Sequence, residues 1–275
     1  MERAFLEARW RADNSAIQPA APGAIFCIVG WQSQKWPDSW GPTMLKVAPH
    51  TRWRQGELCA KSGTRMSLHY NPPMALTRLG ILISGTGSNM KSIVAACEAG
   101  EVPAEVGIVI SNRADAPGVE WAAKTGLETA VMSHRDFADR EAHDRAVVGR
   151  LQEAGVDWVC LAGYMRLLSA VFVDAYPSRI LNIHPALLPS FPGLHGQGQA
   201  WKYGVKVSGC TVHLVDLQLD HGPIVIQRSV PVFSDDNEDR LSARILEQEH
   251  IAYPEALKAL LTQPWSLDGR RVVYG

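Results

Sequence analysis

The chain has 275 residues, 46% of them hydrophobic and 20% charged, and its formal net charge is −1. This length suits one large α/β domain or two small ones, with enough apolar residues for a sizeable core. The charge argues against a strong field that would steer the chain to nucleic acid or to an anionic membrane. The sequence contains no run of 18 apolar residues, so it predicts no transmembrane helix. The five scattered cysteines show no zinc spacing, which favours a reducing, cytoplasmic compartment.

Residues 1–73 differ from the rest in charge and in pattern. They hold nine Lys/Arg and five Asp/Glu, a net charge of +4, which leaves −5 for residues 74–275. Prolines interrupt every candidate element there, and no helical or strand period is sustained. The acidic residues fit poorly with a secretory or mitochondrial leader. We therefore predict a poorly structured tail, or sequence upstream of a start at Met66 or Met74, followed by one domain over residues 74–275.

From Leu79 onward, short apolar runs alternate with helical patterns. The apolar runs predict strands at 79–84, 106–110, 129–132, 158–162, 180–183, 208–215 and 223–232. Helical spacing predicts helices at 89–97, 119–124, 140–153 and about 238–261. Strands separated by helices of this length indicate right-handed βαβ units. The predicted fold is a Rossmann-like, open, mostly parallel sheet with helices on both faces, and residues 223–232 are expected to lie antiparallel at its edge.

A glycine loop, Ser84-Gly85-Thr86-Gly87-Ser88-Asn89, joins the first predicted strand to the first helix. Free backbone N–H groups and the helix dipole favour an anion at such a helix start. A dinucleotide fingerprint would need glycine in place of Met90, and no acidic residue ends the second strand to hold a ribose, so NAD is disfavoured. The loop predicts a phosphate site, although a tight turn that binds nothing also fits.

Polar residues follow the fifth predicted strand. Asn182 and His184 are two apart, so in an extended segment their side chains share one face. Asp220 stands in a tight turn ahead of a later strand, and a carboxylate beside His184 would favour its charged form. Amide, imidazole and carboxylate together suit proton transfer and oxyanion stabilisation. A packed loop histidine and a turn-forming aspartate are the simpler alternatives, and spacing alone leaves them open.

Other catalytic chemistries find little support. No G-x-S-x-G motif marks a serine nucleophile, and no cysteine stands in a nucleophile signature. His184, His195 and His213 are too dispersed for a recognisable metal site, so we expect no metal.

Several longer motifs also occur in a fixed order. They occupy residues 83–89, 161–168, 181–195, 208–213 and 219–224. In these motifs the chain closely resembles the phosphoribosylglycinamide formyltransferases, a family of folate-dependent enzymes of purine synthesis. The resemblance runs from Arg78 to the last helix, leaves residues 1–73 unmatched, and implies the formyltransferase fold for a catalytic domain at 74–275.

The resemblance implies formyl transfer from 10-formyltetrahydrofolate to the amine of glycinamide ribonucleotide. The nucleophile then belongs to the substrate, which agrees with the missing enzyme nucleophile. Asn182, His184 and Asp220 stand at the family's catalytic positions. Asn182 and protonated His184 would stabilise the oxyanion of a tetrahedral intermediate, and Asp220 would hold the histidine charged and help proton transfer.

The resemblance also implies ligand-binding positions. Those for the ribonucleotide are Gly87, Ser88, Asn89, Met90, Lys91, Gln248 and Glu249. Those for the folate are Arg140, Met165, Arg166, Leu167, Leu168 and Asn182. For Met165, Leu167 and Leu168, ordinary core packing is an equally good explanation.

Three alternatives follow from the same motifs. Formyltetrahydrofolate deformylase shares the triad, but its N-terminal regulatory domain needs a βαβ pattern that residues 1–73 lack. A formyltransferase acting on methionyl-tRNA would need a basic C-terminal domain, and only 14 residues follow Leu261. A non-catalytic sugar-phosphate-binding protein would have no reason to keep the triad. We therefore expect small-molecule substrates only, with neither nucleic acid nor membrane as partner, in a monomer or homodimer.

Overall fold

The computed structural model describes residues 76–275, so the predictions for residues 1–73 lie outside the described part of the chain. In that part the strands are β1 (Thr77–Ile83), β2 (Ala104–Ser111), β3 (Thr129–Val131), β4 (Trp158–Leu161), β5 (Ile180–His184), β6 (Val207–Leu214), β7 (Ile224–Pro231), β8 (Trp265–Asp268) and β9 (Arg271–Tyr274). The α-helices are α1 (Ser88–Glu98), α2 (Pro117–Lys124), α3 (Arg140–Glu153), α4 (Ala170–Ala175), α5 (Gly196–Tyr203) and α6 (Glu238–Thr262). None of these helices is long and apolar enough to cross a membrane.

The strands form one sheet in the order β3-β2-β1-β4-β5-β6-β7-β9-β8. The first five are parallel, and β6 lies antiparallel to both β5 and β7. This confirms the predicted fold class. The chain builds outward in one direction from β1 through β2 to β3 and then returns to β4 on the other side. Ligands of open α/β sheets bind at the carboxyl ends of the strands near such a reversal.

Both faces of the sheet are covered, because successive strand residues point to opposite sides. Leu79, Ile81 and Ile83 of β1 join a core with α1 and the middle of α6. Leu82, between them, joins a second core with α3 and α4. All four side chains are fully buried. The near-continuous apolar sequence of β1 is therefore that of a strand buried on both faces.

The sequence missed α4, α5 and the hairpin of β8 and β9. Helix α5 begins Gly196-Gln197-Gly198, and glycine is a poor helix former. The strands of the hairpin have four residues each, too few for a periodic signal. The expectation of an edge position for β7 was wrong, because β9 pairs with it at Ile224 and Arg271.

Candidate active site

A cleft of about 420 Å³ opens at the carboxyl edge of the sheet. Its walls are the loop after β4, the ends of β5 and β6, and the loop between β6 and β7. Both Asn182 and Asp220 line it. Two of the three predicted catalytic residues therefore face one cavity, and His184 lies outside its lining in contact with Asp220.

The structure brings the predicted triad together. Asn182 and His184 lie two apart on β5, and the Asp220 carboxylate Oδ2 is 3.4 Å from His184 Nδ1. His184 is only 3% exposed. Its Nε2 donates to the carbonyl oxygen of Phe191 at 2.8 Å, because a carbonyl can only accept. Nδ1 is therefore the nitrogen at which this imidazole can exchange a proton beside Asp220.

The loop that carries Asp220 is tightly constrained. Asp220 has a left-handed backbone, with φ of +49°, which is uncommon for a residue with a side chain. Its Oδ2 also accepts from the backbone N–H of Gly193 at 2.7 Å. Two residues later, a Cβ on Gly222 would collide with the carbonyl oxygen of Leu214. The close approach of the two backbone segments requires glycine there, and it fixes the end of the loop.

His213 is a site residue that the sequence did not predict. It lies opposite Asn182 in the antiparallel register of β5 and β6, and it is 2% exposed. Its Nε2 accepts from Asn182 Nδ2 at 3.0 Å, and its Nδ1 donates to the Leu214 carbonyl at 2.8 Å. Burial lowers the pKa of His213, which keeps the ring neutral and able to accept. Asp220 Oδ1 lies 3.8 Å from the same Nε2, so the carboxylate stands between two imidazoles.

The glycine loop presents free backbone donors. Gly87, with φ of +69°, precedes the first residue of α1, and that helix has neither a side-chain cap nor an acidic residue in its first turn. Gly118 packs directly against Gly87 and donates from its backbone N–H to the Gly85 carbonyl at 3.0 Å. Met90 is 0% exposed, so its side chain belongs to the core. The uncapped helix start therefore offers backbone N–H groups to an anion.

Beside this loop, Asn89 Nδ2 donates to Glu249 Oε2 at 2.7 Å, joining α1 to α6. Asn89 Oδ1 is buried without a hydrogen-bond partner. Burial raises the pKa of Glu249, and the bond from Asn89 opposes that shift. Gln248 is partly buried next to it. Lys91 is exposed, and its Nζ lies 5.4 Å from the centre of the Trp121 ring, a cation–π contact.

Most of the predicted folate-binding residues border the cleft. The lining includes Arg140, Arg166, Leu167 and Leu168. Met165 is 64% exposed and lies outside the lining, while its backbone N–H donates to Ser84 Oγ at 2.8 Å. The sequence missed Tyr164 and Ser169, which also line the cleft. Arg166 Nε and Ser169 Oγ are buried without partners, so both can serve a polar ligand.

Within residues 76–275 no group of three His, Cys, Asp or Glu side chains is placed to hold a metal ion. Burial raises the pKa of the Cys97 thiol to about 11 and that of Cys210 to about 12. Neither is therefore a thiolate near neutral pH. The cleft joins an amide, two imidazoles and a carboxylate, a set that suits proton transfer and oxyanion stabilisation in a group transferase or a hydrolase.

Comparison with known proteins narrows this class. A family model for formyl transferases matches residues 77–257. Phosphoribosylglycinamide formyltransferase of Escherichia coli (strain K12) is 44% identical over 190 residues, which cover 69% of this chain and 87% of that protein. Glycinamide ribonucleotide transformylase 1 from Symbiobacterium toebii superposes with a TM-score of 0.71 at 48% identity, over 72% of this chain and 94% of that one. The chain belongs to the formyl transferase family, which confirms the resemblance seen in its motifs.

Some relatives are much longer. The trifunctional purine biosynthetic protein adenosine-3 of Drosophila melanogaster is 48% identical over 186 residues, or 67% of this chain. That match spans only 14% of the fly protein. The chain therefore corresponds to one part of that trifunctional protein and to most of the bacterial enzyme.

Proposed function

We propose that the chain transfers the formyl group of 10-formyltetrahydrofolate to the amine of 5-phosphoribosylglycinamide, giving the formylated ribonucleotide and tetrahydrofolate in de novo purine biosynthesis. The observation that carries the proposal is the arrangement of the triad: Asn182 and Asp220 line one cleft, and His184 lies beside Asp220. Two relatives that this chain matches over most of their length carry this activity in their names.

The reaction begins when the substrate amine attacks the formyl carbon and a C–N bond forms. The carbonyl electron pair moves to oxygen, and the second N–H of the Asn182 amide donates to that oxyanion, since the first is engaged by His213. His184, protonated at Nδ1 and paired with Asp220, adds positive charge beside the oxyanion. A proton then leaves the amine, another reaches N10 of the folate, and the bond from the formyl carbon to N10 breaks. His184 Nδ1 and Asp220 Oδ2 are the groups that move these protons.

The two substrates occupy different parts of the carboxyl edge. The glycine loop holds the phosphate of the ribonucleotide through the backbone N–H groups at the start of α1. Asn89 Oδ1 and the Glu249 carboxylate receive its hydroxyl or amine groups, because the former has no protein partner. The cleft holds the folate, with Leu167 and Leu168 against its rings and Arg140 towards its carboxylates. The folate is a co-substrate, which leaves the site as tetrahydrofolate after the transfer. The proposed mechanism uses neither a metal nor NAD.

An absorbance assay for tetrahydrofolate formation, run with and without glycinamide ribonucleotide, tests the proposal. Transfer predicts that product forms only when the ribonucleotide is present. Formyl loss at the same rate in its absence would instead establish a deformylase. Saturable binding of the ribonucleotide with no turnover of the folate would indicate a sugar-phosphate-binding protein.

The setting of the reaction is also a proposal. We place it in the cytoplasm, since Cys97, Cys160 and Cys210 are free thiols, as expected in a reducing compartment. Residues 74–275 are proposed as the catalytic domain, because every residue of this mechanism lies within them. Assembly as a monomer or a homodimer stays a prediction.

A further inference from the structure

The C-terminal hairpin lies beyond residue 257, where the family match ends, yet its turn contacts His221 in the loop that carries Asp220. Strand β9 adds to the sheet beside β7, with Arg271 opposite Ile224. Ile224 begins the strand that follows the loop of residues 216–222. The start of β9 is therefore placed next to the loop that carries Asp220.

The base of the hairpin is firmly attached to the protein. Trp265 packs against Trp158 of β4, with ring centres 6.3 Å apart, and its indole N–H donates to the Leu260 carbonyl at 3.1 Å. The backbone N–H of Gly275 donates to the Pro264 carbonyl at 3.0 Å. These contacts fix the hairpin, so its turn at Gly269 and Arg270 has a defined position.

From that turn, Arg270 reaches the residue next to Asp220. Its guanidinium donates to the backbone carbonyl of His221 and also contacts the His221 ring. The ring nitrogen Nδ1 donates to Asp216 Oδ2 at 2.7 Å, and an Arg270 nitrogen lies 2.9 Å from it. With Nδ1 donating, Nε2 keeps its lone pair and accepts from Arg270. The imidazole therefore bridges the hairpin to the start of the loop.

Asp216 extends this chain of contacts into the loop. Its second oxygen, Oδ1, accepts from the backbone N–H of Gln218 at 2.9 Å. Residues 216–220 all line the cleft, and Leu217 and Leu219 are mostly exposed there. The shape of this wall thus depends on a series of polar contacts that starts at Arg270 and ends at the backbone of Gln218.

We propose that Arg270 is a positioning residue: through His221 and Asp216 it holds residues 216–220 in the shape that binds the folate and presents Asp220 to His184. This role rests on the proposed function, since it assigns the cleft to the folate. It makes a hairpin outside the family match part of the active-site support.

Neighbouring arginines offer a matched test in the full-length chain. Arg271 stands on the same hairpin, but its guanidinium bonds to Asp268 within the hairpin. Both Arg270→Ala and Arg271→Ala remove one exposed cation, and only the former frees His221. Hydrogen exchange of the backbone amides at 216–222 should rise in Arg270→Ala and stay unchanged in Arg271→Ala. Hydrogen exchange needs no turnover, so it tests the positioning role even if the protein proves to have no formyl transfer activity.

Steady-state kinetics provide the second readout. Arg270→Ala should raise the KM for 10-formyltetrahydrofolate about three- to fivefold, the scale of an exposed charged contact, and leave the KM for the ribonucleotide unchanged. Arg270→Lys should recover part of the loss, because an ammonium still donates to the His221 carbonyl. Equal effects of the two alanine variants on loop exchange, or a change in folate KM no larger in Arg270→Ala than in Arg271→Ala, would overturn the proposal.

Discussion

The proposed catalytic cleft and the glycine loop lie at the same edge of the sheet, but they are built in opposite ways. In the cleft, buried side chains from different segments bond to one another: His213 holds Asn182, and Asp220 lies between His213 and His184. In the glycine loop the groups proposed to bind the phosphate are backbone N–H donors.

This difference decides how each region responds to substitution. A network of side chains depends on the identity of every member, because each buried polar atom that loses its partner is left unsatisfied. A backbone site tolerates changes of side chain but depends on the conformation that aims its N–H groups. We therefore expect cleft variants to lose turnover and loop variants to lose affinity for the ribonucleotide.

The largest effect is expected at His184. His184→Ala should lower kcat by about 10²–10⁴-fold, the usual contribution of a general acid–base group. Both KM values should change little, because neither proposed ligand subsite loses a contact. Thermal unfolding should show that the variant is folded. A variant with near-normal kcat would remove His184 from the mechanism.

The next effect is expected at His213, which touches the reaction only through Asn182. His213→Ala should lower kcat about 5- to 150-fold, corresponding to the roughly 1–3 kcal/mol lost when a buried polar group loses its partner. His213→Gln retains a side-chain acceptor and should recover much of the loss. If the alanine and glutamine variants lose kcat equally, His213 does not act by holding the amide.

Gly87→Ala tests the backbone site. The left-handed conformation at φ +69° costs a residue with a Cβ about 1–2 kcal/mol, and the new methyl would also press on Met90 and Gly118. The KM for the ribonucleotide should therefore rise about tenfold, since a factor of ten corresponds to roughly 1.4 kcal/mol. The KM for the folate should change less.

Gly100 is the matched control, since its φ is +71° but no atom lies within 4 Å of an added Cβ. Gly100→Ala should lower the thermal midpoint and leave both KM values alone.

The same contrast explains what could be predicted from the sequence. Asn182 and His184 were found because a strand places residues two apart on one face. His213 was missed because its contact with Asn182 depends on the register of β5 and β6, which periodicity does not reveal. Met165 was predicted to bind the folate, with core packing as the alternative; its exposure speaks against core packing, and after the end of β4 no repeat sets the direction of a side chain. The contact of Arg270 with His221 was missed for both reasons, since it joins a very short hairpin to an irregular loop.

The smallest effect concerns Glu249, an acidic side chain of the proposed ribonucleotide site whose pKa burial raises above its ordinary value of 4.5. Well below pH 4.5 the carboxyl is protonated in both the folded and the unfolded chain. As the pH rises above 4.5, the unfolded chain loses this proton first, so the folded state loses stability until its own carboxyl has ionised.

The variant Glu249→Gln tests this, because its amide cannot ionise and keeps an oxygen for the bond from Asn89. The free energy of unfolding of the wild type minus that of this variant, measured with urea, should therefore fall with pH above 4.5 and then level off. A difference that stays constant with pH would show that Glu249 ionises in the fold as it does in water, and its proposed role towards the substrate amine would have to rest on hydrogen bonding alone.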